Sequence, residues 1–146
     1  PISIHVAKKL QTDFGGKLKL SFSGGIHAFN VADALACGFE TITVSSDLLK
    51  PGGYTHMNQY FKELDLAFQR EKTDSISGYI LQMAGKDELK EAAFCNLKTY
   101  ANQVLESNLY KRTYLRTPDI KTQKPLGFFD CISAPCEDTC PTNQGI

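Results

Sequence analysis

Three cysteines are grouped near the end of the sequence, in the segment Cys131-Ile-Ser-Ala-Pro-Cys136-Glu-Asp-Thr-Cys140-Pro141. Thiolates this close together can converge on one metal centre, and a proline directly after the last cysteine is typical of ferredoxin-type iron–sulfur loops. The spacing therefore predicts an iron–sulfur cluster with Cys131, Cys136 and Cys140 as ligands. A structural zinc site is one alternative, although such sites usually pair two short cysteine elements. Inert or disulfide-bonded cysteines are the other.

A second candidate site consists of small residues that follow two segments with strand character. Ser23, Gly24 and Gly25 follow an alternating apolar segment, and Ser45 and Ser46 follow a β-branched one. Glycines at a strand-to-helix turn let a phosphate approach backbone N–H groups, and the positive end of the next helix faces that anion. Two such turns on successive strands predict a phosphate cradle. A tight turn without a ligand is the alternative interpretation of the glycine pair.

Four other residues are weaker candidates. His27 follows the glycine pair and could contact a phosphate, although solvated loop histidines are common. Asp47 could contact a ligand or cap the next turn. Cys37 and Cys95 lie on apolar helical faces, which predicts buried, inert thiols.

Hydrophobic periodicity predicts the elements that position these residues. Two short strands are expected over residues 18–23 and 41–45. The remaining apolar residues recur at helical spacing. They predict helices on Ile2, Val6 and Leu10; on Phe29, Ala32, Leu35 and Ala36; on Met57, Tyr60, Phe61, Leu64, Ala67 and Phe68; and on Leu89, Ala93, Leu97, Tyr100, Ala101 and Val104.

The order of these elements predicts an α/β fold of parallel βα units, part of a sheet or barrel. Two strands cannot close a barrel on their own, so their edges would be exposed and the isolated chain is expected to self-associate. The second half predicts an all-α segment from residue 87 to 107. Residues 108–127 are basic and interrupted by proline, which is typical of a linker.

Composition excludes several functional classes. The 146 residues are 42% apolar, enough for a packed core, and 16 Lys and Arg balance 16 Asp and Glu. This balance argues against a nucleic-acid-binding protein. The sequence has neither a long apolar run nor a signal peptide, so we expect no membrane span and a cytoplasmic location. A chain that begins at Pro1 and ends shortly after a cysteine cluster is expected to be a segment of a longer protein.

The cysteine segment is similar to the N-terminal cluster motif of the glutamate synthase small subunit and dihydropyrimidine dehydrogenase. That motif belongs to an α-helical ferredoxin domain with two [4Fe-4S] clusters. Its first cysteine corresponds to Phe128 here, so one expected ligand is absent. The family takes further ligands from a second cysteine group that would lie beyond this chain.

Ser23-Gly24-Gly25-Ile26 and the segment from Thr43 to Tyr54 look like the last two βα units of a dihydroorotate-dehydrogenase-like FMN barrel. A barrel end followed by this cluster motif resembles the selenate reductase iron–sulfur subunit family. The resemblance implies three regions. Residues 1–71 would be the C-terminal part of a TIM-type barrel, 72–125 a helical connector and linker, and 126–146 the start of the iron–sulfur domain.

The same resemblance implies an oxidoreductase. Electrons would pass through [4Fe-4S] clusters between a nicotinamide or flavin module and a substrate or partner redox subunit. FMN is the cofactor of such a barrel, and FAD and NAD(P)H would bind in downstream domains. The fragment alone is expected to be inactive, because residues that would contact the flavin ring are expected upstream of Pro1. The alternative is a non-redox module that binds phosphate or is stabilised by zinc.

Overall fold

The structure, a computed structural model, describes residues 1–110. The predicted cluster ligands Cys131, Cys136 and Cys140 lie outside the described residues, as does the predicted linker from Lys111 onward. The helices are α1 (Ile2–Asp13), α2 (Val31–Ala36), α3 (His56–Arg70), α4 (Ile76–Ala84) and α5 (Leu89–Glu106), and the strands are β1 (Ser21–Phe22) and β2 (Thr41–Ile42). Short 3-10 turns cover Ser46–Leu49, Gly53–Thr55 and Asn108–Tyr110.

The two strands form a parallel pair, which confirms the predicted α/β character. Ser21 lies opposite Thr41, and Phe22 lies opposite Ile42. The ring of Phe22 stacks on that of Phe39, with 4.7 Å between ring centroids. Both rings are buried, so the stack contributes to the core beside the pair.

The strands are shorter than the predicted ranges 18–23 and 41–45. Backbone hydrogen bonds nevertheless continue past their ends, since Glu40 N–H donates to Leu20 O (2.8 Å) and Thr43 N–H donates to Phe22 O (2.9 Å). Within residues 1–110 each strand has a neighbour on one side only. A strand with one partner has half of its backbone hydrogen-bonding groups outside the ladder, so regular pairing is brief.

Helix α1 forms where it was predicted, and Gly15 and Gly16, which have φ values of +61° and +72°, follow its end. Its buried residues, however, are Ile4 and Ala7, and the predicted apolar face of Ile2, Val6 and Leu10 is exposed, Ile2 to 81%. An apolar face at this spacing is commonly buried, but here it lies on the surface of the described part of the chain. Ile2, Val6 and Leu10 form one stripe along α1, because residues four apart lie on the same face of a helix. Helix α1 packs on α5 through the neighbouring stripe, which contains the buried residues Ile4 and Ala7.

Two phenylalanines from the helical apolar patterns are also exposed. Phe29 precedes α2 and is 73% exposed, and Phe61 on α3 is 59% exposed. On α3 the buried residues are Tyr60 and Ala67, because the contact with α2 covers only a narrow face. The predicted burial of Cys37 is confirmed, and burial raises the pKa of its thiol, whereas Cys95 is half-buried.

Helix α5 was predicted and forms the platform of the described unit. It packs against α1, α2 and α4. Its buried residues are Ala92, Asn96, Leu97, Tyr100, Ala101 and Val104. The predicted division of the chain at residue 71 stays a prediction. Helices on both sides of that position nevertheless pack together in one unit, Pro1–Tyr110.

Helix α4 was missed in the sequence, although its ends carry recognisable signals. The Ser75 side chain caps the first turn by accepting a hydrogen bond from Gly78 N–H (3.1 Å), and Gly85 ends the helix at φ +60°. Glu88 then caps α5 by accepting from the N–H groups of Lys90 and Glu91. Serine and glycine at these positions are common helix boundaries. None of the helices described here is both long and apolar enough to cross a membrane.

Asn96 joins three helices. Its buried side-chain amide donates to Ala36 O at the end of α2 (3.0 Å) and to Ile80 O in α4 (2.9 Å). The Ala36 carbonyl is among those that a helix end leaves without an intrahelical partner, so the asparagine satisfies a group that would otherwise be buried unpaired.

The contact between Gly38, just after α2, and Ala93 on α5 gives a testable prediction. A methyl group at Gly38 would lie 2.6 Å from Ala93 Cβ, whereas one at Gly85 would meet no atom within 4 Å, and both glycines have positive φ. We expect Gly85→Ala to cost about 1–2 kcal/mol from backbone strain alone. Gly38→Ala should cost about 1–3 kcal/mol more from overlap.

Urea unfolding of the single variants, of Ala93→Gly and of the Gly38→Ala/Ala93→Gly double variant measures these costs. We expect the double variant to be more stable than the sum of its single changes, because Ala93→Gly removes the overlapping methyl group. Equal costs for the two glycine substitutions would contradict the close approach of α2 and α5.

Candidate functional site

The predicted phosphate cradle lies at the ends of the two strands. Because β1 and β2 are parallel and in register, the loops that follow them leave the sheet at the same edge. The cradle residues are all exposed in these loops: Ser23, Gly24, Gly25, Ser45 and Ser46.

Tyr60 links the two loops. Its hydroxyl donates to Asp47 Oδ2 (2.7 Å) in the loop after β2 and lies 3.1 Å from the Ile26 carbonyl oxygen in the loop after β1. The side chain is buried, with 2% exposure. A buried tyrosine hydroxyl needs a polar partner, and here its partners belong to the two segments that contain the predicted cradle.

Asp47 is the most connected polar residue of the site. Lys50 Nζ donates to its Oδ1 (2.7 Å), and His56 Nδ1 lies 3.7 Å from its Oδ2. The hydrogen bond from Lys50 and then that from Tyr60 hold the pKa of the Asp47 carboxyl below its ordinary value. Burial and the neighbouring carboxylate raise the pKa of Tyr60, so its hydroxyl keeps its proton.

The two glycines of the predicted cradle have different roles. A methyl group at Gly24 would lie 2.7 Å from Phe22 Cζ and 3.0 Å from Ser3 Cβ, so this glycine is required by internal packing. Gly25 has φ +70°, and a methyl group there would meet nothing within 4 Å. Space for an approaching ligand therefore exists at Gly25, where the left-handed backbone also favours glycine.

The loop after β1 is held by Asn30. Its buried side chain accepts from His27 N–H (2.8 Å) and donates to Gly25 O (3.1 Å). Helix α2 begins only at Val31, and β2 is followed by a 3-10 turn. The predicted approach of a helix N-terminus to a phosphate at this edge stays a prediction. An anion at this edge would depend on loop N–H groups and serine hydroxyls.

His27 lines a cavity together with Asp47 and Lys50. Burial lowers the pKa of its imidazole, against the opposing effect of Asp47. Over residues 1–110 no group of three or more histidine, cysteine or acidic side chains is arranged to hold a metal ion. The described unit thus offers a candidate anion site, and the predicted metal ligands lie elsewhere in the chain.

Tyr60 and Lys50 also belong to the site, although no pattern in the sequence predicts this role for them. Periodicity places Tyr60 among the apolar residues of α3, and Lys50 belongs to no pattern that indicates a site. Two signals were present: a tyrosine on a buried face requires a polar partner, and Lys50 follows Asp47 at a spacing of three, close enough for an ion pair.

Comparisons with known proteins agree with this architecture. The family model described as "Oxidoreductase YgfK, N-terminal TIM-barrel domain" matches residues 1–112. The proteins named "Putative oxidoreductase YgfK" from Escherichia coli strain K12 and from E. coli O157:H7 are each 30% identical over 148 aligned residues. That alignment covers 100% of this chain but only 12% of either relative. No solved structure matches the chain.

The link through Tyr60 can be tested by Tyr60→Phe, which removes only the hydroxyl. We expect a loss of about 1 kcal/mol in the free energy of unfolding, because Asp47 and the Ile26 carbonyl lose a buried partner. Tyr79→Phe is the matched control, since Tyr79 is equally buried and makes no side-chain hydrogen bond to another described residue. Urea unfolding compares the two, and equal losses would contradict the link.

The low pKa of Asp47 predicts a pH dependence of stability. A carboxyl with a lowered folded pKa stabilises the fold fully above its unfolded value of 3.8, and this contribution is lost as the pH falls through the folded pKa. We therefore expect the stability difference between the wild type and Asp47→Asn to be constant above about pH 5 and to shrink below about pH 4.

Thermal unfolding from pH 3 to pH 7 measures this difference, with Asp74→Asn as the control. Asp74 is exposed and makes no ion pair within the described unit. A stability difference for Asp47→Asn that stays the same down to pH 3 would show that the carboxylate does not act through its charge.

Proposed function

The chain belongs to the family of the YgfK oxidoreductase N-terminal TIM-barrel domain, and from this membership we propose that its two strand-end loops bind the phosphate of a flavin cofactor. The observation that carries the proposal is the link through Tyr60, which holds the loop after β1 and the loop after β2 at one edge of the sheet. In TIM barrels a phosphate site is commonly built by the loops after the last two strands.

The residues of this edge fit a phosphate group. Gly25 leaves open space above its backbone, and the hydroxyls of Ser45 and Ser46 are exposed and make no hydrogen bond to another residue of the described part. These groups would hold FMN by its phosphate, and FMN when bound would supply the hydride and electron chemistry. The protein groups position the phosphate end, while the ring needs walls that lie outside residues 1–110.

We propose further that Cys131, Cys136 and Cys140 are ligands of a [4Fe-4S] cluster in a longer protein. The spacing of the three thiols supports this, as does oxidoreductase family membership, which does not favour the non-redox alternative. Since the chain spans 12% of the length of its relatives, the electron path is a proposal for the whole protein. FAD and NAD(P)H would bind downstream, as in the selenate reductase-like family that the sequence resembles.

The proposed partners follow from the surfaces that the described unit leaves exposed. The free edges of β1 and β2 and the exposed apolar stripe of α1 would contact other domains of the same polypeptide. In the isolated chain they would lead to self-association. Cluster thiols must stay reduced, which supports a cytoplasmic location.

The experiment uses the longer protein in which we place this chain. Ser45→Ala/Ser46→Ala should lower FMN affinity about tenfold through lost hydrogen bonds and leave the iron–sulfur spectrum unchanged. Replacement of the three cysteines by alanine should abolish the visible and electron-paramagnetic signals of one cluster and leave FMN binding unchanged. Fluorescence titration measures the flavin affinity.

Two matched variants serve as controls. Ser77→Ala changes an exposed serine on α4, and Cys95→Ala changes a half-buried cysteine on α5, so neither should affect either cofactor. Unchanged FMN affinity without the two serines would contradict the phosphate site. Unchanged cluster spectra without the three cysteines would contradict the cluster assignment.

A further inference from the structure

An apolar groove of about 380 Å³ runs between helix α1 and strand β1. Its α1 side includes the exposed stripe of Ile2, Val6 and Leu10, and its β1 side runs along residues 20–23. Neither residue of β2 lines this α1–β1 groove. The groove therefore lies along the side of β1 that faces away from β2.

The backbone of β1 is open on the same side. Leu20 O and Phe22 O accept hydrogen bonds from residues in and beside β2, at 2.8 and 2.9 Å. Successive residues of a strand in a parallel pair direct their backbone groups to opposite edges, so those of Ser21 and Ser23 face away from β2. Beyond the pair with β2, neither serine makes a backbone hydrogen bond within residues 1–110. Free N–H and C=O groups beside an apolar groove are a template for a further strand.

The α1–β1 groove lacks the features that usually keep an exposed strand edge from pairing. Such edges commonly carry charged side chains or proline. None of the described residues that line the groove is charged or a proline. Lys19, next to it in sequence, has its ammonium group 3.6 Å from Glu40 Oε1. The edge is therefore suited to contact with an apolar strand.

The position of α1 indicates which segment takes this edge. In the unit β1–α2–β2 a helix joins two parallel strands that are neighbours in the sheet. Helix α1 precedes β1 as α2 precedes β2, and it lies beside β1, since both line the groove. Strands joined by a helix in this way are usually adjacent and parallel. Because β2 already occupies one edge of β1, a strand that precedes α1 would lie along the other.

We propose that the segment immediately before α1 in the longer protein forms a parallel strand on the free edge of β1 and places apolar side chains in the α1–β1 groove. This inference rests on the proposal that the chain is part of a longer protein, and it names the segment that covers one exposed surface. A TIM barrel has eight parallel strands, and the described residues contribute two. The chain spans only 12% of its relatives, so the longer protein has ample length for the others.

The first test needs no substitution and compares hydrogen exchange in the longer protein with that in the 146-residue chain, kept dilute so that it is monomeric. We expect residues 19–23 to exchange at least about tenfold more slowly in the longer protein, because the amides of Ser21 and Ser23 gain acceptors. Thr43 is the control, since its N–H already donates to Phe22 O and is protected in both proteins. Equal exchange of residues 19–23 in the two proteins would overturn the proposal.

Photo-crosslinking in the longer protein identifies the segment that fills the groove. Val6→p-benzoylphenylalanine places the reactive group in the middle of the α1 stripe. We expect cross-links to the roughly 15 residues before α1, which have room for a short strand and its connection to the helix. The same replacement at Leu105, an exposed residue of α5, is the control and should not give these cross-links. Cross-links from position 6 to a second copy of the chain or to a distant segment would overturn the proposal.

A charge in the groove gives a second, independent readout. Val6 is 51% exposed in the described unit, and the added strand would bury it. We expect Val6→Lys to speed exchange of residues 19–23 about tenfold in the longer protein, and Leu105→Lys to leave it unchanged. Continued protection of Thr43 shows that the fold persists. Unchanged exchange of residues 19–23 in Val6→Lys would contradict the added strand. FMN titration of the Ser45 and Ser46 variants depends on other residues, so the phosphate site and this strand can fail separately.

Discussion

The arrangement of the strand-end loops depends on the hydroxyl of Tyr60. It lies between the Asp47 carboxylate and the Ile26 carbonyl and so connects two loops that the strands alone would hold loosely. The regular part of each strand is only two residues long, which leaves few backbone bonds to define the edge. A buried hydroxyl between two acceptors fixes the relative position of the two loops, which such a short strand pair does not. Both the cradle and the neighbouring cavity depend on this contact.

Helix α5 supports the βα units that carry the strand-end loops, although it lies near the end of the described residues. It packs against α1, α2 and α4, and Asn96 satisfies the last carbonyl of α2. Gly38 allows the chain to pass close to Ala93 on α5 where a larger residue would not fit. The two βα units are therefore stabilised by helices that follow them in sequence, whereas the apolar stripe of α1 stays exposed within residues 1–110.

Family membership and local chemistry answer different questions about this protein. The family model establishes an oxidoreductase TIM-barrel domain over most of the chain. The chemistry of a site has to be argued from its own residues, because one fold carries many activities. Here the exposed residues of the two strand-end loops form an open, hydroxyl-rich edge. Such an edge suits a phosphate group.

The sequence by itself determined the order of the two strands and of helices α1, α2, α3 and α5, and the left-handed glycines Gly15 and Gly38 that follow α1 and α2. These features are local, since periodicity and left-handed glycines act within a few residues. Tertiary structure decided which faces are buried. The exposed stripe of α1 and the exposed Phe29 are apolar in sequence, but burial depends on which element packs there. The partners of Tyr60 and Asn96 lie 13 to 60 residues away, and no local pattern specifies a contact between segments so distant in the chain.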